Sequence, residues 1–225
     1  MLAPWLPSIV TLLIVTGVAC SPSSVRSSET SRSAETDSAG PAASTPVLRR
    51  SSPFSLDDRA AWRAALAWPA SCEEAFESSR VGEDGGLGFH VLAPRVSIVE
   101  VVCASGAYQP SHVYLRYDEQ GAPATATLLE FPVLIAGDGS SVEKSLETEV
   151  WGESWFSPDA YEMSVLTLSR QLADCGIWSR YALSGPQPVL TAASARLPCP
   201  ASPGPPARLL NGATPVGWRP VSLSK

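Results

Sequence analysis

What this 225-residue chain lacks narrows its function before anything it contains does. GxSxG does not occur, and "CASGAYQ" (103–109) lacks the small-residue turn that exposes a nucleophilic serine, so no local motif supports acyl-transfer chemistry. CxxC is also missing, no two cysteines are close, and the only histidines are His90 and His112. A redox dithiol and a clustered zinc site are therefore not expected, and no metal or cofactor is assigned. Basic clusters are missing as well. Four arginines and three acids precede residue 54, so of 16 basic and 22 acidic groups 12 and 19 remain beyond it, a formal charge of −7. Nucleic-acid binding needs clustered Lys and Arg to displace counterions, so this class is excluded as a partner. Internal repeats are absent, and no apolar run reaches the roughly 20 residues that span a bilayer.

The longest apolar run, "IVTLLIVTGVA" (9–19), has the length of a signal-peptide core. It ends at Cys20 and is followed by "CSPSSVRSSETSRSAETDSAGPAASTP", a polar tract unable to bury enough apolar surface to fold. This arrangement resembles a bacterial lipoprotein signal, in which Cys20 becomes the acylated first residue after cleavage. Gly17 stands where that class usually has Leu, and no Lys or Arg precedes the apolar core. Residues 1–19 are then a signal peptide and 20–53 a tether, spanning roughly 30 Å on root-mean-square average. With Ser21 rather than Asp after the cysteine, the analogy implies the periplasmic face of the outer membrane, the partner being the membrane itself through the lipid. Ordinary secretion to the periplasm, with cleavage after Ala19, is the alternative.

Parity of the cysteines agrees with lipidation, because removing Cys20 leaves Cys72, Cys103, Cys175 and Cys199, a pairable set in an oxidising compartment. Three connectivities are possible and the sequence does not choose between them. Cys72–Cys103 with Cys175–Cys199 is favoured, the first pinning a helical segment to a central strand and the second closing the C-terminal hairpin. The chain-entropy model gives each bond roughly 3–4 kcal/mol.

The folded domain is expected over residues 54–200. "SLDDRAAWRAALAW" carries a capping-box pattern, Ser55 with Asp58, and "WPASCEEAFESS" repeats the signal with Ser71 and Glu74. Two short helices over about 56–79 follow. Beyond "VGEDGG" the pattern becomes β-branched and aromatic: "LGFHVL", "VSIVEVVCA", "HVYLRYD", "ATATLLEF", "LETEVWGESWF", "EMSVLTLSR", "IWSRYALS" and "PVLTAASARL", with turn clusters between them. The fold class is α+β: a predominantly antiparallel sheet of about seven or eight strands in hairpins and meanders, with two N-terminal helices. Residues 201–225 are an irregular tail from which Trp218 is expected to dock back. The tryptophans as a group are expected chiefly as core fillers.

"WPASCEEAF" (68–76), "VEVVCASGAYQPSHVYLRYD" (99–118), "FSP" (156–158), "LSRQLADCGIWSRYAL" (168–183) and Cys199 resemble a bacterial envelope family catalogued as domain of unknown function 1176. The resemblance covers roughly 57–200 and implies an exported, disulfide-bearing, β-rich module with no assigned activity. Family members tend to have Gly where Ala173 stands here, a difference that matters only if the turn requires positive φ.

Two constellations are candidates for function. In "VSIVEVVCA" Glu100 alternates onto the face of Ile98 and Val102, where it is either half-buried with a shifted pKa or an ordinary exposed or Arg-paired strand position. In "HVYLRYD" His112, Tyr114, Arg116 and Asp118 share one face, which is either a recognition surface for a glycan or a partner strand, or a solvated face with cross-strand pairs. The leading expectation is an exported lipoprotein acting as a non-catalytic binding or structural module of the cell envelope, with an envelope protein or glycan as partner. The alternative is an envelope hydrolase using Glu100 or Asp118 as general acid or base.

Overall fold

The computed structural model describes residues 54–55, 57–79, 85–138 and 141–223. Residues 1–19, expected as a signal peptide, Cys20 and the expected tether to residue 53 lie outside the described residues. Two helices come first, α1 (Arg59–Leu66) and α2 (Ala70–Ser79). Asp58 rather than Ser55 caps α1: its carboxylate accepts from Ala61 N at 3.0 Å, so the helix starts later than the capping box predicts. Trp62 and Leu66, four residues apart and hence on one face, are buried.

Twelve strands are present among the described residues. β1 (Leu87–Ala93), β2 (Val96–Ala104), β3 (Ser111–Asp118) and β4 (Thr125–Leu128) form an antiparallel sheet in that order, and β7 (Glu149–Trp151) also pairs with β3. A second sheet runs β12-β11-β10-β9-β8, from β8 (Glu153–Ser157), β9 (Glu162–Leu168), β10 (Gly176–Ala182), β11 (Val189–Arg196) and β12 (Arg219–Pro220). β5 (Phe131–Ala136) and β6 (Val142–Glu147) make a separate hairpin.

The fold is the expected β-rich α+β class, with two short helices, but has more strands than seven or eight. The excess has a local cause. "ATATLLEF" ends as β4 at Leu128, and β5 begins at Phe131. "LETEVWGESWF" divides among β6, β7 and β8, because the chain leaves the first sheet for the second at Gly152. Gly152 has φ +131, and a Cβ there would lie 2.3 Å from Leu166 O, so the crossing requires glycine.

β2 is covered on both faces. Val99, Val101 and Cys103 pack with Trp62, Leu66, Trp68 and Cys72 beneath the helices. The Cys72–Cys103 disulfide joins α2 to β2 on this side, and Cys175–Cys199 closes the second sheet's C-terminal segment. Arg59 reinforces the helical layer: it meets Glu73 at 2.9 Å and donates to Gly85 O and Val102 O, while Trp68 Nε1 also donates to Glu73. The opposite face carries Ile98, which joins Tyr114, Phe131, Met163, Val165 and Tyr181 in the layer between the sheets.

The tail, although mostly irregular, is packed. Trp218 is buried against Leu166, Leu168 and Trp178, and β12 pairs with β11. Trp62, Trp68 and Trp178 are core residues too, whereas Trp151 and Trp155 are exposed. Ala173 takes φ +57, the left-handed region in which glycine carries no penalty.

Candidate functional site

Strand alternation and antiparallel register bring both histidines to one carboxylate. Gly88, Glu100 and Tyr114 lie opposite one another across β1, β2 and β3. His90 stands opposite Ile98 and His112 opposite Val102, so the two imidazoles flank Glu100 diagonally from neighbouring strands. His90 Nε2 lies 3.1 Å from Glu100 Oε2, and His112 Nε2 lies 3.6 Å from Oε1. Oε1 also accepts from Tyr114 OH at 3.1 Å and from Ser154 Oγ at 2.7 Å. Ser154 belongs to β8, so this last bond ties the two sheets together. The His90 ring stacks on Phe156 of β8, with centroids 3.6 Å apart and planes 12° apart. Gly88 leaves the room: a Cβ there would stand 3.1 Å from Glu100 Oε2 and 3.2 Å from His90 Nε2.

The electrostatics follow from this crowding. Burial pushes Glu100 up, but the hydrogen bond from His90, the charge of His112 and the hydrogen bond from Ser154 outweigh it and hold the pKa down, at about 2. Burial lowers His112, and proximity to Glu100 only partly restores it. Burial, with Glu100 adding to it, raises Tyr114 well above its ordinary value, and the phenol stays a donor. His112 Nδ1 is buried with no hydrogen-bond partner among the described residues.

An ionised carboxylate cannot serve as a general acid, and Glu100 is already engaged by Tyr114, Ser154 and His90. Ser154 directs its hydroxyl proton at a carboxylate rather than at an imidazole, so it is not an activated nucleophile. Among the described residues no group of three His, Cys, Asp or Glu side chains is arranged to hold a metal ion. His90 and His112 instead approach opposite oxygens of Glu100. The cluster is an inter-sheet polar network, suited to fixing register and sheet docking.

The four residues expected to share a polar face do alternate together; His112 and Tyr114 are buried, while Arg116 and Asp118 at the far end are half-exposed. His112 is 6% and Tyr114 0% exposed, inside the sandwich. Arg116 donates to Leu183 O and Gly185 O, joining β3 to the turn after β10. Asp118 accepts from Gln120 N at 2.7 Å and serves the turn after β3. The burial of His112 and Tyr114 is due to the second sheet, which covers that end of a face that alternation alone leaves open to water. Sequence reasoning singled out Glu100 but not His90 or Ser154 as its partners. The scarcity of histidine was a usable signal for His90; Ser154, on another sheet, had none.

Comparisons with family models, curated proteins and solved structures return no match for this chain.

Proposed function

We propose that the protein is an exported, lipid-anchored module of the bacterial cell envelope that binds or scaffolds rather than catalyses. The observation that carries this reading is the pair of disulfides: all four cysteines of the folded region are joined, which leaves Cys20 as the one cysteine available for acylation. Disulfides point to an oxidising, extracytoplasmic setting, and no helix among the described residues is long and apolar enough to cross a membrane. The resemblance to the envelope family catalogued as domain of unknown function 1176 implies export, and Ser21 after Cys20 favours the periplasmic face of the outer membrane. For the non-catalytic half the support is Glu100, ionised and engaged on both oxygens. The hydrolase reading has less behind it, since Asp118 serves a turn and lies opposite Val96, four residues along β2 from Glu100.

Intact mass of the protein made in a bacterial host, with and without reductant, tests the proposal. The expected result is loss of residues 1–19, a lipid-sized gain at Cys20 and four hydrogens that return only on reduction. An unmodified Cys20 overturns the anchoring. Turnover on a cell-wall substrate that Glu100→Gln abolishes overturns the non-catalytic reading.

A further inference from the structure

The hairpin of β5 and β6 packs on the sandwich through Phe131 and Leu134 but leaves a gap beside them. Between it, β7, β9 and β10 lies a cavity of about 550 Å³, within the roughly 300–1,000 Å³ of small-molecule pockets. Its floor is mostly apolar, built from Val133, Val165, Ile177 and Tyr181, with Ser179 between the last two on β10. Its mouth differs in kind. Glu147 and Glu149 stand there beside Trp151, which is 44% exposed, and Ile135, which is 48% exposed. No Lys or Arg lines the cavity, and neither glutamate makes an ion pair with a described residue. Lys144, the cation of the hairpin, pairs in register with Leu134 but is not among the cavity's lining residues.

We infer that this cavity binds an amphiphilic cation, its apolar group on the valine and isoleucine floor and its ammonium head between Glu149, Glu147 and the Trp151 ring. An apolar floor recognises any hydrocarbon; the charge at the mouth sets the sign of the head. Two carboxylates without a protein cation disfavour a fatty acid or other anionic amphiphile by like-charge repulsion, and an aromatic face beside them attracts an ammonium group. This inference names the ligand class of the binding module proposed above and rests on that reading. The two fail separately: an unmodified Cys20 refutes the anchoring and leaves the cavity untouched, whereas the titration below speaks to the cavity alone.

The test is calorimetric titration of the full chain, purified with its disulfides formed, using decyltrimethylammonium and decanoate below their micelle-forming concentrations. The ammonium compound is expected to bind at a single site and decanoate roughly tenfold or more weakly, the scale of one charge contact at a partly dehydrated site. Glu149→Lys is expected to invert that order, and Ser179→Phe, which fills the floor, to remove binding of both. Should Ser179→Phe fail to fold, Ile135→Lys at the exposed mouth replaces it and is expected to weaken the ammonium compound by the same factor. Equal affinity for the two amphiphiles, no binding of either, or indifference to Glu149→Lys overturns the inference.

Discussion

The two faces of β2 are both covered, yet the carboxylates packed there are held by different means. Toward the helices, Glu73 is met by Arg59, and the Cys72–Cys103 bond staples the layer covalently. Toward the second sheet, Glu100 is met by two imidazoles, a phenol and a serine hydroxyl. A guanidinium remains charged at any ordinary pH, whereas an imidazole changes charge within it. The difference teaches that burial of an acid says little by itself. The identity of its partners decides whether the surrounding layer responds to pH.

The largest expected effect breaks the helical face. Arg59→Met leaves Glu73 buried with only Trp68 as a described side-chain partner and frees Gly85 O and Val102 O, so a loss of about 3–5 kcal/mol is expected in urea unfolding. A loss below about 1 kcal/mol would show that this pair is incidental to the layer. Next is the staple. Cys72→Ala with Cys103→Ala releases a sequence separation of 31 residues and is expected to lower stability by about 3–4 kcal/mol, measured against the parent under the same oxidising conditions.

The inner face is expected to respond less at neutral pH and more in acid. Glu100→Gln removes the charge that three donors serve and should lose about 1–3 kcal/mol at pH 7. Its pH profile is the sharper readout. The folded pKa of Glu100 lies below the unfolded one, so its contribution is complete above the ordinary value of 4.5 and is lost as pH falls toward about 2. In Glu100→Gln that part of the acid limb should flatten; a limb of unchanged slope would assign it to other carboxylates.

The smallest effect is expected at His112. Its folded pKa is lowered, so protonation favours the unfolded chain and stability declines as pH falls below 6.5. His112→Phe also removes the unpartnered Nδ1, and should stay within about 1 kcal/mol of the parent at pH 7 while losing the decline that begins near 6.5. Melting temperature against pH for the two proteins reads this directly.

Much of this architecture is local and therefore legible. Alternation in "VSIVEVVCA" assigns Glu100 to the Ile98 face, and the structure keeps it there beside a buried Ile98. The spacing of Trp62 and Leu66 marks the buried stripe of α1, and a count of five cysteines leaves four that can pair. Periodicity of 2 or 3.6 is a property of a few consecutive residues, and so it survives in any fold that contains the element.

What tertiary structure alone decided is what lies across from each face. Nothing near Ser154 marks it as a partner for a residue 54 positions earlier, and nothing in "HVYLRYD" says that a second sheet will cover His112 and Tyr114. The exchange of sheets at Gly152 and the cavity beneath β5 and β6 likewise depend on segments brought together from a distance. The sequence by itself determined which residues share a face, because that is set by backbone geometry within one strand. Which faces meet, and so which polar groups end up satisfied, follows from long-range packing that no local window contains.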